Sequence, residues 1–374
     1  NIWDKKLIYE GVRVLPYCPR CETPISNSEI AMDNSYKDIT DISVYVKLAV
    51  ENEPRTYLIV WTTTPWTLPG NTAAAVNPDL DYVIVKVGGE NGEYYIVAKE
   101  KTGIFKDGFE LVEEVKGSAL VGKKYTPPFD YFLNKDLPNK ENAWKVYAAP
   151  YVTAEAGSGI VHLAPAYGEE DMLLAKEHNI PFVRHVGTDG KFTADVIDFA
   201  GIKVKPKEDH QSGDVAIIKA LAAHGTLFAK EKIVHSYPHC HRCETPLYYF
   251  ALPSWFIKIS DVKKDLIRLN EDISWSPEHL KHGRFGKSVE GAPDWNISRN
   301  RFWASPLPFW RCEKCNKTEC IGSVAEIAAR MPAKNEYFVM RHGEAEFNLT
   351  DTISYSPRDN NSLTAKGKSE VLAT

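Results

Sequence analysis

Short apolar runs, cut by glycine, asparagine and aspartate, set the pattern over the first hundred residues. Stretches 42–50 and 57–60 have the β-branched and apolar texture of buried strands, and 82–87 and 94–98 repeat it, with Gly88-Gly89-Glu90-Asn91-Gly92 as a hairpin loop. This spacing predicts a barrel-like β domain. Elsewhere the period lengthens. Ile2, Trp3, Leu7 and Ile8 share one helical face over 2–9 with Gly11 as a stop, and helices are expected at 169–178, 216–227 and 262–269. A short buried strand is expected at 160–163, a turn at Asp189-Gly190, and a strand leading out through 252–260. Residues 117–150, with Pro127, Pro128 and Pro138, read as loops and short strands, and 336–340 as a strand followed by a helix opening within 363–371. The fold class is mixed α/β.

The strand at 57–60 runs into Trp61-Thr-Thr-Thr-Pro-Trp-Thr-Leu-Pro-Gly-Asn71. Consecutive side chains on a strand point to opposite faces, so Thr62, Thr63, Thr64 and Thr67 can converge on one small ligand only from a loop, and Pro65 favours an extended exit into one. A bare threonine run is equally a strand edge with no ligand. Further on, Gly157-Ser158-Gly159 lets backbone approach a ligand closely before the short strand presents His162. Asp171 falls in the first turn of the 169–178 helix, where the helix dipole favours a carboxylate. Alone, His162 reads as a satisfied core histidine and Asp171 as an ordinary first-turn acid.

Cys18 and Cys21 form a C-x-x-C knuckle, and Cys240 and Cys243 repeat it inside a shared Pro-x-Cys-x-Arg-Cys-Glu-Thr-Pro string. Four thiolates from two tight turns are what a tetrahedral structural zinc requires. A redox pair or disulfides are the alternatives; nothing nearby suggests a thioredoxin-like unit, and a cytosolic setting argues against disulfides. Zinc would clamp together the two ends of the intervening residues 22–239. Cys312 and Cys315 make a third C-x-x-C, a candidate second zinc site without an assigned fourth ligand, and Cys320 close behind reads as a free structural thiol.

Trp61–Asn71 closely resembles the threonine-rich editing motif of isoleucyl-tRNA synthetases; valyl and leucyl enzymes have an arginine and an acidic residue where this chain has Pro65-Trp66. The 157–171 string is similar to a second editing signature of that family. Asp294–Trp310, DWNISRNRFWASPLPFW, resembles a segment of its catalytic core, departing at Asn296 and Ala304 where the family has Cys and Gly. The resemblance covers about residues 1–332. It implies a β-barrel-like editing domain inserted into a class I Rossmann-type core with zinc knuckles: 1–40 as the first knuckle and core connection, 41–235 as the editing domain, and 236–332 as the second knuckle and return to the core. It also implies hydrolysis of valine wrongly esterified to isoleucine tRNA, with the acceptor end and valine or isoleucine esters as partners. Thr62, Thr63, Thr64 and Asn71 would hold the terminal adenosine and ester, with Trp66, Thr67 and Gly159 lining the site. His162 would gauge the side chain and Asp171 grip the amine. The ATP-binding signatures are absent, so ATP and magnesium are expected only in the full-length enzyme.

The last forty residues change character. Arg341-His342-Gly343 followed by Asn348 and a later Leu-Thr-x-x-Gly resembles the start of a histidine phosphatase (phosphoglycerate mutase-like) domain over 333–374. His342 would be its phosphate acceptor and Arg341 and Asn348 its phosphate ligands, without the rest of that family's site. Composition then sets bounds. The 374 residues are 43% hydrophobic with a net charge of −5, and no apolar run approaches the ~20 residues of a membrane helix. With no charged leader, a soluble, cytoplasmic monomer is expected, its RNA contacts local and centred on Lys281, Arg284, Lys287, Arg299 and Arg301. Two rivals remain: a zinc-held RNA-binding module without catalysis, and an appendage of a phosphatase.

Overall fold

β-branched and aromatic residues at alternate positions put residues 36–62 into two long paired strands, and the rest of the first unit is assembled around them. The computed structural model describes residues 1–31, 35–298, 306–330, 344–346, 349 and 362–373. It divides into two compact units, Asn1–Ser305 and Pro306–Thr374.

In the first unit the strands are β1 (Ile8–Cys18), β2 (Thr23–Pro24), β3 (Tyr36–Val50), β4 (Thr56–Thr62), β5 (Ala73–Val76), β6 (Asp81–Val87) and β7 (Glu93–Ala98). They continue with β8 (Glu110–Lys116), β9 (Tyr125–Thr126), β10 (Val146–Ala148), β11 (Ile160–Leu163), β12 (Leu227–Pro238), β13 (Tyr248–Ile257) and β14 (Trp295–Asn296). Its helices include α1 (Asn27–Ile30), α2 (Glu169–His178), α3 (Ser212–Ala223), α4 (Ile259–Glu271) and α5 (Arg284–Glu290). β3 to β12 form a ten-stranded sheet, and β14-β13-β1-β2 a second sheet of four. The branch point is β4. One edge pairs antiparallel with β3, and the other is shared by two parallel partners: β7 along Thr56–Leu58 and β11 at Trp61↔Val161. Because β4 and β11 run the same way side by side, their C-terminal ends leave the sheet at one edge.

The strands expected at 42–50, 57–60, 82–87, 94–98, 160–163 and 252–260 and the helices at 169–178, 216–227 and 262–269 are present, with ends moved by a few residues. The helix expected at 2–9 is not. Residues 2–6 form turns and Ile8 starts β1, whose ten-residue register against β13 runs from Ile8↔Ile257 to Tyr17↔Tyr248. Pairing along a whole strand outweighs a weak local period, and Gly11, expected as a helix stop, lies within that strand under the rings of Tyr9 and Phe256.

The divisions expected at 40/41 and 235/236 also fall inside one unit. β3 and β12 run unbroken through both points, paired from Tyr36↔Pro238 to Val46↔Leu227. One core joins Val44, Leu48, Leu58 and Val60 of the large sheet to Val14, Tyr17, Phe250 and Leu252 of the small one. In the second unit, β15 (Phe309–Arg311) pairs with β16 (Thr318–Cys320), α6 (Val324–Arg330) follows, and α7 (Ala365–Leu372) is capped by the Thr364 hydroxyl accepting from the Gly367 amide. The expected strand at 336–340 and the phosphatase-like Arg341, His342 and Asn348 lie outside the described residues.

Candidate editing site and thiol cluster

The threonine run begins on β4 and leaves it. Thr62 is its last residue, Thr63 bends away, and Pro65 opens a 3-10 turn over Pro65–Gly70, all six residues of it buried. Proline at the first turn position is pre-set for this geometry. The turn folds the hydroxyls onto one another: Thr62 Oγ1 is 3.2 Å from Thr64 Oγ1, which is 3.4 Å from Thr67 Oγ1.

Two groups pin the turn by its backbone. The Trp66 amide donates to Asp214 Oδ1 at 3.1 Å, and His185 Nε2 donates to the Trp66 carbonyl at 3.0 Å. A methyl at Gly70 would come within 2.2 Å of His185 Nδ1, so only glycine leaves room for this ring.

β11 presents His162 from the neighbouring strand. Asn71 Nδ2 donates both to the Ala73 carbonyl and to His162 Nδ1 at 3.0 Å, while Tyr125 donates to Asn71 Oδ1 at 2.8 Å. These contacts fix the amide orientation and make Nδ1 an acceptor, so the ring proton sits on Nε2 and is donated to Thr67 Oγ1 at 2.8 Å. Thr67 in turn donates to the Thr64 carbonyl at 2.8 Å. Burial, with His185 nearby, pushes the His162 pKa down to about 3. With both nitrogens engaged and the ring neutral, His162 is a fixed strut rather than a proton carrier.

One residue beyond the end of β11, the Ala164 amide donates to Asp171 Oδ2 at 2.8 Å. The carboxyl is tucked against Gly168, where a methyl would lie 2.7 Å from its Cγ. Burial raises its pKa to about 6, against the lowering pull of the amide. The structure thus joins Thr62, Thr64, Thr67, Asn71 and His162 in one hydrogen-bonded net and sets Asp171 in the first turn of α2, bonded to the residue that follows β11.

A cavity of about 210 Å³ adjoins the net, lined by Thr64, Trp66, Thr67, Tyr167, Tyr237 and Tyr248 among others, with Trp66 packed edge-on against Tyr167 and Tyr248. Among the described residues no charged side chain lines it. Trp66 and Tyr248 are 2% and 3% exposed, and the indole N–H of one and the hydroxyl of the other are buried without a hydrogen-bond partner among the described residues. Tyr36 and Tyr249, both exposed, mark its open side.

Three expectations need correction. Gly159, expected beside the ligand, has φ +76°, and a methyl there would lie 2.4 Å from Ala98 Cβ; its smallness serves strand packing. Gly157 likewise lies against the Trp61 ring. Asn71, expected to hold ligand, is 4% exposed with both amide atoms committed to protein partners, so any influence on a ligand passes through His162. Tyr167, Tyr237, Tyr248, His185 and Asp214 were not singled out from the sequence, because single tyrosines and acids outside a motif carry no signal.

Cys18, Cys21, Cys240 and Cys243 bring their sulfurs within 4.8 Å of one another, the one such grouping of metal-binding side chains among the described residues. A zinc tetrahedron with Zn–S near ~2.3 Å has edges of about 3.8 Å, so the cluster fits the ion with small adjustments. Burial raises the Cys18 thiol, whereas hydrogen bonds from Thr245 and the neighbouring thiols overcome burial at Cys243 and bring it down to about 7. Cys312 and Cys315, in the turn between β15 and β16, are exposed and form no such grouping with Cys320 among the described residues. Of the basic stretch, Arg284 and Lys287 are exposed on α5 and Lys281 is tied to Glu271; Arg299 and Arg301 lie outside the described residues.

A family profile described as "tRNA synthetases class I (I, L, M and V)" matches residues 1–365. The isoleucine–tRNA ligase of Clostridium acetobutylicum is 42% identical over 327 residues, covering 87% of this chain and 30% of that protein. That of Bacillus thuringiensis (strain Al Hakam) is 43% identical over 330 residues, again 87% and 30%, and that of Treponema denticola 40% over 359 residues, 87% and 32%. The chain therefore spans about a third of the length of the curated relatives it matches. Among solved structures, the "GlLeuRS-CP1" crystal structure shares 19% identity over 36% of this chain and 59% of that one, with a TM-score of 0.31. The Plasmodium falciparum cytosolic leucyl-tRNA synthetase editing domain shares 13% over 37% and 67%, with a TM-score of 0.29.

Proposed function

Because this chain belongs to the class I tRNA synthetases of the I, L, M and V group, we propose that it is the editing portion of an isoleucine–tRNA ligase, hydrolysing valine mistakenly esterified to isoleucine tRNA. The observation that carries the reading is the cavity of about 210 Å³ beside the threonine turn, lined among the described residues by aromatic and other uncharged side chains. Such a cavity has room for a branched aliphatic side chain among aromatic rings. The need for a second sieve is physical: one methylene gives only ~1–3 kcal/mol of discrimination, a general figure for which isoleucyl enzymes are the standard illustration.

In this reading Thr62, Thr63 and Thr64 meet the ester and terminal ribose, with Thr67 held in line by His162. Trp66, Tyr167 and Tyr237 enclose the side chain. Asp171, as carboxylate, receives the α-ammonium through a charge-assisted hydrogen bond. A water positioned among the hydroxyls attacks the ester carbonyl, since His162 has no free nitrogen to activate a covalent nucleophile. Cys18, Cys21, Cys240 and Cys243 would hold a structural zinc that fastens the two ends of the insertion. Isoleucine activation, with ATP and magnesium on a Rossmann-type core, belongs to the longer protein, as does the tRNA body; its monomeric, cytoplasmic character is part of the same proposal.

The test is deacylation of valyl-tRNA(Ile) by the full-length protein and its Asp171→Ala variant. Loss of roughly 10- to 100-fold in kcat/KM is expected from removing a charged hydrogen bond. Binding without hydrolysis by the unaltered protein would leave the RNA-binding module in its place, and an acyl-enzyme trapped from mischarged tRNA would overturn the water mechanism. The phosphatase-like string around His342 stays a proposal about the longer reading frame, sunk if no second catalytic histidine follows it.

A further inference from the structure

We infer that Lys205, with Asp41 and Asp214, positions two aromatic residues of the cavity lining, Trp66 and Tyr237, and so sets the selectivity of hydrolysis; this rests on the editing reading. The Lys205 side chain is wholly buried, its Nζ 2.8 Å from Asp41 Oδ1 and 3.0 Å from Asp214 Oδ2. The first contact is an aligned hydrogen bond, and the second is an ion contact without that alignment. Burial works against the ammonium, but Asp214, Tyr237 and Asp41 together hold its pKa above the ordinary lysine value.

The contacts reach two different residues of the lining. Asp214, in the first turn of α3, gives its other oxygen to the Trp66 amide, the residue between Thr64 and Thr67 in the tight turn. The Lys205 ammonium also sits 5.4 Å from the centroid of the Tyr237 ring, a cation–π contact with a second aromatic residue of the lining. Asp41 on β3 closes the frame, with Oδ2 3.0 Å from His235 Nε2 on β12, two residues before Tyr237. His210 Nε2 stands 3.5 Å from the other Asp41 oxygen. One buried charge therefore ties together the Trp66 turn, the Tyr237 strand and the outer strand pair.

Apolar replacement of a buried ion group is often neutral for stability or better, so its presence here points to a requirement for geometry. If Lys205 fixes the separation of Trp66 and Tyr237, its loss lets them part, and the cavity stops telling side chains apart by one methylene.

The experiment compares full-length Lys205→Met with the unaltered protein. It measures kcat/KM for deacylation of valyl-tRNA(Ile) and isoleucyl-tRNA(Ile), together with hydrogen exchange at the Trp66 amide. The valyl preference is expected to shrink ~tenfold, with isoleucyl hydrolysis rising, and exchange at Trp66 to quicken. A merely structural role would lower both reactions alike. An unchanged preference in a folded variant, or unchanged exchange, overturns the assignment. Should Lys205→Met not fold, Asp214→Asn carries the selectivity readout with the same criterion, because it keeps an oxygen for the Trp66 amide and removes the charged acceptor that faces Lys205. Failure of the unaltered protein to hydrolyse valyl-tRNA sinks the editing reading instead, and exchange at Trp66 then decides the positioning role alone.

Discussion

His162 Nε2 meets the Thr67 hydroxyl at 2.8 Å while its Nδ1 accepts from Asn71, so an imidazole with no free nitrogen holds the threonine turn against β11. Removing it strands two buried polar groups. His162→Ala should cost ~1–3 kcal/mol in denaturant unfolding and lower valyl-tRNA deacylation at least tenfold. A variant of full stability and activity would show that the net does not position Thr67.

Gly70 faces His185 with no space for a methyl, and His185 in turn holds the Trp66 carbonyl. Gly70→Ala must displace that ring or bend the turn. Overpacking at such a site typically costs ~1–3 kcal/mol. Thermal unfolding should register the loss, with deacylation falling alongside; an unchanged midpoint would contradict the packing described.

Burial raises the Asp171 carboxyl from 3.8 to about 6, which fixes two pH effects of opposite sense. For folding, a raised carboxyl pKa means a contribution that is complete below about 3.8 and lost as pH rises through about 6. Asp171→Asn should therefore be more stable than the unaltered protein at pH 7 to 8, by roughly 1–3 kcal/mol, with the difference gone near pH 4. For hydrolysis the carboxylate form is needed, so deacylation should fall as pH drops through about 6. A variant that is both less stable and fully active at pH 8 would refute both statements.

The four clustered sulfurs fit one zinc ion. Metal analysis of the purified chain should find one zinc at this cluster, abolished by Cys18→Ser. Because metal binding is coupled to folding, chelation should hasten hydrogen exchange at the Cys18 end of β1 and the Cys240 end of β12 together. Exchange quickening at one end alone would mean that the knuckles do not share an ion.

Local patterns were legible wherever a short string carries its own chemistry. The Cys-x-x-Cys repeat announced its cluster, and the alternation over 42–60 its strands. The Thr62–Thr64 run announced a loop, because threonines on a strand cannot converge. The 2–9 helix failed for the complementary reason: four apolar residues give a weak local period, and ten pairs with β13 decide against it.

What the sequence settled by itself was the family, the candidate motifs and most element types, since these depend on residues near one another in the chain. Tertiary structure alone decided that β4 and β11 run parallel, bringing Thr62 and His162 to one edge, and that Gly159 packs on Ala98. It alone also placed Tyr167 and Tyr237 around the cavity, with Asp214 bonded to the Trp66 amide and Lys205 against the Tyr237 ring behind it. Those residues lie up to 171 positions from the threonine turn at Trp66, and their meeting is fixed by sheet register and shared core packing, which no local string encodes.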